Sequence, residues 1–181
     1  MRIFLICLIF FSSIKVNSQT KVDFYTNYGD FTVELYDSLV PITTSNFINL
    51  VSSGFYDGAL FHRVISNFMI QGGGMTEDMQ PKQTKEPIKN EADNGKKNLR
   101  GTLAMARTSE INSATSQFFI NLADNHFLDH GGRDFGYAVF AEVVSGMDVV
   151  DSIAAINTHM SNGHQDVPSE AIIIEDVKII E

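Results

Sequence analysis

The residues best placed to do chemistry lie in one stretch, FHRVISNFMIQGGG, from Phe61 to Gly74. It sets a cation, Arg63, inside a run of strand-forming residues that includes Val64, Ile65 and Ile70. A buried or half-buried Arg needs a partner or a task. Gln71 is an amide that could hold the guanidinium in place. Phe68 and Met69 could form one wall of a small apolar site, and Gly72, Gly73 and Gly74 permit close backbone approach just beyond it. Taken alone, Arg63 reads more simply as a snorkelling Arg on a core strand. The rest of the chain decides between the two.

Several common chemistries lack their parts. The run from Gly72 to Glu77 begins like a dinucleotide-binding fingerprint, but Glu77 stands where the third Gly belongs and no βαβ context surrounds it. No G-x-S-x-G elbow occurs. His126 and His130 sit among loop residues without the H-E-x-x-H pattern of a metal-bearing helix, so no metal site is expected. The acidic residues show no readable pairing for a two-carboxylate hydrolase. What remains is an apolar site with one cation and several amide or backbone donors. Rotation about an X–Pro peptide bond needs only that. No covalent bond breaks, so neither nucleophile, metal nor cofactor is required. The barrier of about 18–20 kcal/mol reflects lost amide resonance. In the twisted state the proline nitrogen regains a lone pair, and a guanidinium donor would bond it more strongly there than in the planar ground state.

The elements around this stretch are short. Lys21–Tyr28 and Phe31–Tyr36 alternate apolar and polar residues across a Tyr28-Gly29-Asp30 turn, which predicts a β-hairpin. Pro41–Ser53 predicts a helix, with Pro in the first turn, Phe47, Leu50 and Val51 on one face, and Gly54 as a stop. Strands are expected at Leu60–Ile65, Phe68–Gln71, Gly101–Arg107, Ser116–Asn121, Tyr137–Val144 and Ala171–Ile180. Residues 75–98 and 123–136 read as excursions and loops, as does the Gly/His/Pro segment before Ala171. A second helix is expected to open at Ser145, with Asp148 three residues on and Met147, Val150 and Ala154 toward the core. About eight strands and two helices without regular alternation favour an antiparallel barrel or sandwich with helices at its ends.

A chain of 181 residues with 44% apolar content suits one domain with a packed core. The N-terminus differs in kind. Arg2 precedes nine apolar residues, Ile3–Phe11, followed by Ser12, Ser13 and a Val16-Asn17-Ser18 tripeptide. This is the layout of a secretory signal peptide, residues 1–18, and it is too short to span a bilayer. Cleavage after Ser18 removes Arg2 and Lys15, taking the net charge from −9 to −11 in residues 19–181. It also removes Cys7, the only cysteine, and with it any thiolate chemistry. The acidic balance argues against nucleic-acid binding and against adhesion to anionic membranes.

Taken together, these blocks resemble the cyclophilin-type peptidyl-prolyl cis/trans isomerases, and in particular their short bacterial members. FHRVISNFMIQGG at 61–73, GTLAMART at 101–108, SQFFIN at 116–121, HFLD at 126–129 and YAVFAEVVSGMDVVD at 137–151 are similar to that family in order and spacing. TKEPIKNEADNG at 84–95 and HQDVP at 164–168 point to the bacterial branch. The resemblance covers residues 21–181. It implies a mainly β fold, a closed eight-stranded antiparallel barrel capped by two helices. It implies isomerisation of X–Pro bonds without a cofactor, in unfolded or partly folded exported polypeptides. The export signal implies a periplasmic or secreted protein, and the family a monomer.

By the same resemblance Arg63 is the catalytic guanidinium, and Gln71 positions it and bonds the substrate backbone. Phe68, Met69, Phe119 and Leu128 form the proline pocket. Ala106, Arg107 and Thr108 line the substrate groove, and Gln117 lies at its floor. His62 is expected to be structural, its ring satisfied by nearby backbone. Three positions depart from the eukaryotic pattern. Phe127 replaces a usual Trp and loses an indole donor, which implies weak binding of cyclosporin-type macrocycles. Tyr137 stands at the pocket where His is common. Arg107 replaces Asn and adds a second cation, with a mild preference for acidic residues near the proline, limited by solvent screening. The rival reading is a binding module, a holdase or adhesin whose groove retains Pro-containing segments. The Arg63/Gln71 pair discriminates, because a pure binder needs no guanidinium aimed at the amide nitrogen.

Overall fold

Strand formation starts where alternation is cleanest. In the computed structural model, which describes residues 19–161 and 163–180, β1 (Lys21–Thr26) buries Val22, Phe24 and Thr26. Its hairpin partner β2 (Gly29–Leu35) buries Phe31, Val33 and Leu35. Pairing Phe24 opposite Phe31 stacks their rings 4.7 Å apart and begins the core. Then follow β3 (Ala59–Ile65), β4 (Met69–Gly72), β5 (Thr102–Met105), β6 (Phe118–Asn121), β7 (Val139–Ser145), β8 (Thr158–Ser161), β9 (His164–Pro168) and β10 (Ile173–Ile180). Eight of these close into an antiparallel barrel in the order β1-β10-β3-β4-β6-β5-β7-β2. The expected eight-stranded closed barrel with two helices is therefore the observed fold. Closure leaves the barrel without the unpaired edges that an open sheet must protect.

Aromatic rings fill the interior. Phe118 lies within 5.6–6.0 Å, centroid to centroid, of Phe24, Phe47, Tyr56 and Phe61. Helix α1 (Pro41–Ser52) covers one opening with Phe47, Leu50 and Val51, the face its spacing predicts. Val40 gives it no side-chain cap. Instead, Glu91 accepts from the Thr43 N–H at 2.8 Å, the Thr43 hydroxyl at 2.7 Å and the Ile42 N–H at 3.2 Å. A carboxylate from the 75–98 excursion thus satisfies orphan donors at the helix's positive end.

Two expectations are corrected. The second helix, α2 (Met147–Ala154), is not opened by Ser145, which ends β7. Gly146 precedes it at φ 78°, where an added Cβ would lie 2.5 Å from the Asp30 carbonyl oxygen. Only glycine fits that entry. The α2 residues that are fully buried are Val150 and Ile153, whereas Met147 and Ala154 are partly buried. The segment before β10, read as a loop, contains the two-stranded ribbon β8–β9, with β9 lying against β3. Its polar, exposed residues carry no apolar alternation to betray it. The expected signal peptide, 1–18, lies outside the described residues.

Candidate active site

A β-bulge at His62 creates the site. Phe61 pairs with Gly72 and Arg63 with Gln71, so two steps of β3 oppose one step of β4. A bulge shifts the alternation by one residue. Phe61 faces the core beside Phe31 and Phe118, and Val64 is buried on that side as well. Arg63 is consequently turned to the outer face, where regular alternation from Phe61 would have driven it inward. The cross-strand pairs Arg63–Gln71, Gln71–Phe119 and Phe119–Ala104 then form one lateral row over β3, β4, β6 and β5. Four chain segments thereby deliver a cation, an amide and an aromatic ring to the same patch.

A hollow of about 140 Å³ opens on this row. Phe119, Met69 and Leu128 are buried and make its apolar floor, and Phe68 and Tyr137 are partly buried at its side. Phe119 meets Tyr137 edge-on at 5.6 Å. Ala106 and Arg107 complete the wall, and Arg63 and Gln71 stand at the polar side. A second hollow of about 210 Å³ shares Gln71, Ala106 and Arg107 with the first and continues past Thr108, Gln117, Ser113 and Thr115. Gly74 borders it closely, since a Cβ there would fall 2.2 Å from Gln117 Cγ. Ser113, which accepts from the Thr108 N–H at 3.0 Å, and Thr115 carry no sequence signal that marks them as groove residues.

The polar partners differ from those expected. Gln71 Nε2 donates to Gln117 Oε1 at 2.8 Å, and Arg63 Nε donates to Asp166 Oδ2 at 3.3 Å. The expected Gln71–Arg63 hydrogen bond is not made, although the two are ladder neighbours. Arg107 is not a free second cation. Its side chain is only 4% exposed, and it donates to the Gly136 carbonyl, the Thr108 carbonyl and Asp134 at 2.9–3.0 Å. Its guanidinium also lies 4.6 Å over the Tyr137 ring. The pocket gains a fixed wall from Arg107, and the preference for acidic residues loses its basis. Asp134 is held below the usual carboxylate range, first by the Gly136 backbone N–H and then by Arg107 and Arg133, against a smaller opposing effect of burial.

Phe127 lies outside the pocket lining. It is 51% exposed and stacks on Phe68 at 5.7 Å, bracing that wall from outside. Beneath it runs a buried amide network that the sequence did not reveal. Asn125 Nδ2 donates to the Phe68 carbonyl at 2.9 Å and to Asn121 Oδ1 at 2.8 Å, and the Asn98 N–H donates to Asp129 Oδ1 at 2.7 Å. These bonds fix the turn that presents Phe127 and Leu128. Burial pushes Asp129 up, but the Asn98 hydrogen bonds, with His126 and Lys97, more than offset it and leave its pKa lowered.

His62 is buried, and its Nδ1 has no hydrogen-bond partner among the described residues, so its ring is not satisfied as expected. Burial lowers its pKa to about 4. The Leu60 backbone favours the charged form without reaching hydrogen-bond geometry at Nδ1, and His164 and Arg63 add repulsion. The ring is neutral at physiological pH. What the site offers is an apolar recess, a guanidinium whose Nη1 and Nη2 have no hydrogen-bond partner among the described residues, and amide groups along a groove.

Comparison with known proteins gives one answer. A family model described as cyclophilin type peptidyl-prolyl cis-trans isomerase/CLD matches residues 21–179. The chain is 54% identical over 171 residues to peptidyl-prolyl cis-trans isomerase A of Dickeya dadantii, covering 94% of this chain and 90% of the relative. It is 56% identical over 163 residues to peptidyl-prolyl cis-trans isomerase B of Escherichia coli, covering 88% and 99% respectively. A crystal structure of a Cryptosporidium parvum cyclophilin type peptidyl-prolyl cis-trans isomerase superposes with a TM-score of 0.75 at 28% identity, over 90% of this chain and 98% of that one. A crystal structure of the same protein in the presence of dipeptide ala-pro superposes with a TM-score of 0.74 at 29% identity, over 89% and 99%.

Proposed function

This chain belongs to the cyclophilin-type peptidyl-prolyl cis-trans isomerases, and from that premise we propose how its own residues turn the X–Pro bond and for which clients. The substrate's proline ring enters the recess over Phe119, Met69 and Leu128, with Phe68 and Tyr137 at its side. The residues preceding proline run along Ala106, Arg107 and Thr108, where backbone groups and the Gln71–Gln117 pair meet the peptide. As the amide twists, resonance is lost and the proline nitrogen becomes an acceptor. Arg63 donates to it through a terminal N–H. The bond is strongest at the twisted geometry, which is the differential that lowers a barrier. The docked peptide, seated on the apolar floor, displaces water that otherwise reaches the donor. Neutral His62 takes no part in proton transfer.

The observation that carries this reading is the row Arg63–Gln71–Phe119, which sets a donor beside a proline-sized apolar floor. The structural relative determined in the presence of dipeptide ala-pro supports a substrate of that chemistry. The test is a protease-coupled assay on an Ala-Pro peptide. Arg63→Ala should lower kcat/KM by about 10²–10³, the scale of losing one transition-state donor, with little change in stability. Wild-type turnover in folded Arg63→Ala would overturn the role of Arg63. Refolding of a client aided equally by Arg63→Ala would favour the holdase reading.

The clients are unfolded or partly folded exported proteins. The apolar run Ile3–Phe11 and the Ser18 cut site support export, to the periplasm or beyond it, of a monomer that has lost residues 1–18. Intact mass of the exported protein tests the cut. Phe127 supports weak affinity for cyclosporin-type macrocycles, because it offers no indole donor.

A further inference from the structure

Arg63 is a long side chain with 41% of its surface exposed, and such a chain samples many rotamers unless tied. Its one tie among the described residues is Asp166 in β9, which accepts from Nε at 3.3 Å. The choice of nitrogen matters. A carboxylate bound to the two terminal nitrogens would block the donors that face the substrate. Bound to Nε, it fixes the plane of the guanidinium and leaves Nη1 and Nη2 open. Asp166 itself has φ 60°, a left-handed backbone that Asp tolerates better than most residues. An ion pair this exposed adds little stability, and the left-handed backbone would accept Gly or Asn as readily, so neither accounts for a carboxylate at that point. The ribbon β8–β9 lies against β3 and brings Asp166 to Arg63 across 103 residues of chain.

We propose that Asp166 is a positioning residue for the isomerase reaction: it holds Arg63 by Nε so that the terminal N–H groups meet the twisted prolyl nitrogen. This rests on the role given to Arg63 above. Asp166 touches no substrate. It acts by removing rotamers that aim the guanidinium elsewhere, so its effect falls on the turnover of bound peptide rather than on peptide affinity.

The experiment compares Asp166→Ala, Asp166→Asn, Arg63→Ala and the double variant Arg63→Ala/Asp166→Ala, each checked by thermal unfolding to be fully folded at the assay temperature, since Ala at φ 60° lowers stability somewhat. Protease-coupled kcat/KM is measured with an Ala-Pro peptide, and NMR exchange spectroscopy separates on-enzyme isomerisation from peptide Kd. Asp166→Ala should lower on-enzyme isomerisation about tenfold, a loss within the range for misplacing a reacting group, with Kd unchanged. Asp166→Asn keeps an oxygen acceptor and tolerates the backbone, so it should recover part of that loss. Raising salt to about 1 M, where screening is short-ranged, should slow the wild type and leave Asp166→Ala unaffected. In the Arg63→Ala background, adding Asp166→Ala should change nothing further. If Arg63→Ala is impaired but Asp166→Ala turns over like the wild type, the positioning role is overturned and the Arg63 role stands. It is equally overturned if Asp166→Ala lowers the residual activity of Arg63→Ala by its full factor. If Arg63→Ala itself is wild-type-like, both readings fall.

Discussion

Acidification from about pH 7.5 to about pH 5 should destabilise this fold by about 2 kcal/mol through one side chain, His62. The ring is buried at the bulge of β3, its Nδ1 is unpartnered among the described residues, and its pKa is lowered from 6.5 to about 4. Between those values the unfolded chain binds a proton that the folded chain refuses, so stability falls as pH falls. The contribution is fully present above about 6.5 and is lost progressively toward about 4. There the loss sums to about 3 kcal/mol, because each tenfold difference in proton affinity between the folded and unfolded chain is worth roughly 1.4 kcal/mol. Asp129 and Asp134 do not confuse the comparison between about pH 7.5 and about pH 5, because their unfolded value of 3.8 already lies below it and folding lowers them further, so their own loss of stability comes at lower pH. Urea unfolding at the two pH values measures the difference. The comparison is His62→Leu, which cannot titrate. Its pH dependence should shrink by about the same 2 kcal/mol. An equal drop in His62→Leu, or none in the wild type, would refute the reasoning.

Three further outcomes are expected. Gly74→Ala would place a Cβ 2.2 Å from Gln117 Cγ and displace that side chain from Gln71. Calorimetric titration with an Ala-Pro peptide should show weakened binding, at a stability cost of about 1–3 kcal/mol. Arg107→Ala would take a donor from the Thr108 carbonyl, from Asp134 and from the Gly136 carbonyl, the last two keeping the Gly136 N–H and Asn90 Nδ2 respectively, and would free the Tyr137 ring. Urea unfolding should show a loss of about 1–2 kcal/mol, the scale of losing charge-assisted hydrogen bonds whose 41%-exposed carboxylate partner can rehydrate, with little dependence of wild-type activity on acidic residues beside the proline. Phe127→Trp restores an indole donor at an exposed position on Phe68. It should tighten cyclosporin-type binding, read by fluorescence, while unfolding shifts by less than about 0.5 kcal/mol.

Local pattern carries some elements fully. Val22, Phe24, Phe31, Val33 and Leu35 alternate and bury as their spacing predicts, because a strand with one wet face needs no information beyond its own period. Helix α1 buries Phe47, Leu50 and Val51 for the same reason. The pocket residues Phe68, Met69, Phe119, Leu128 and Tyr137 are legible as blocks with an order and a spacing. Elements governed by distant contacts are not. Local pattern points to Ser145 as the start of α2 rather than Gly146, because the need for glycine arises from Asp30 and Phe31, over a hundred residues earlier. The ribbon β8–β9 stays hidden because its residues are mostly exposed and polar.

By itself, then, the sequence determined which residue types meet at the apolar recess, through strand periodicity and through blocks that resemble one enzyme family. Only the tertiary structure decided how those groups point and what they bond. The bulge at His62 turned Arg63 outward. Asp166 took its Nε, Gln117 took the Gln71 amide, and Asp134 with Gly136 took the charge of Arg107. Hydrogen bonds are short-ranged and directional. Their partners follow from which segments the barrel brings within about 3 Å of one another, and a linear pattern holds no measure of that distance.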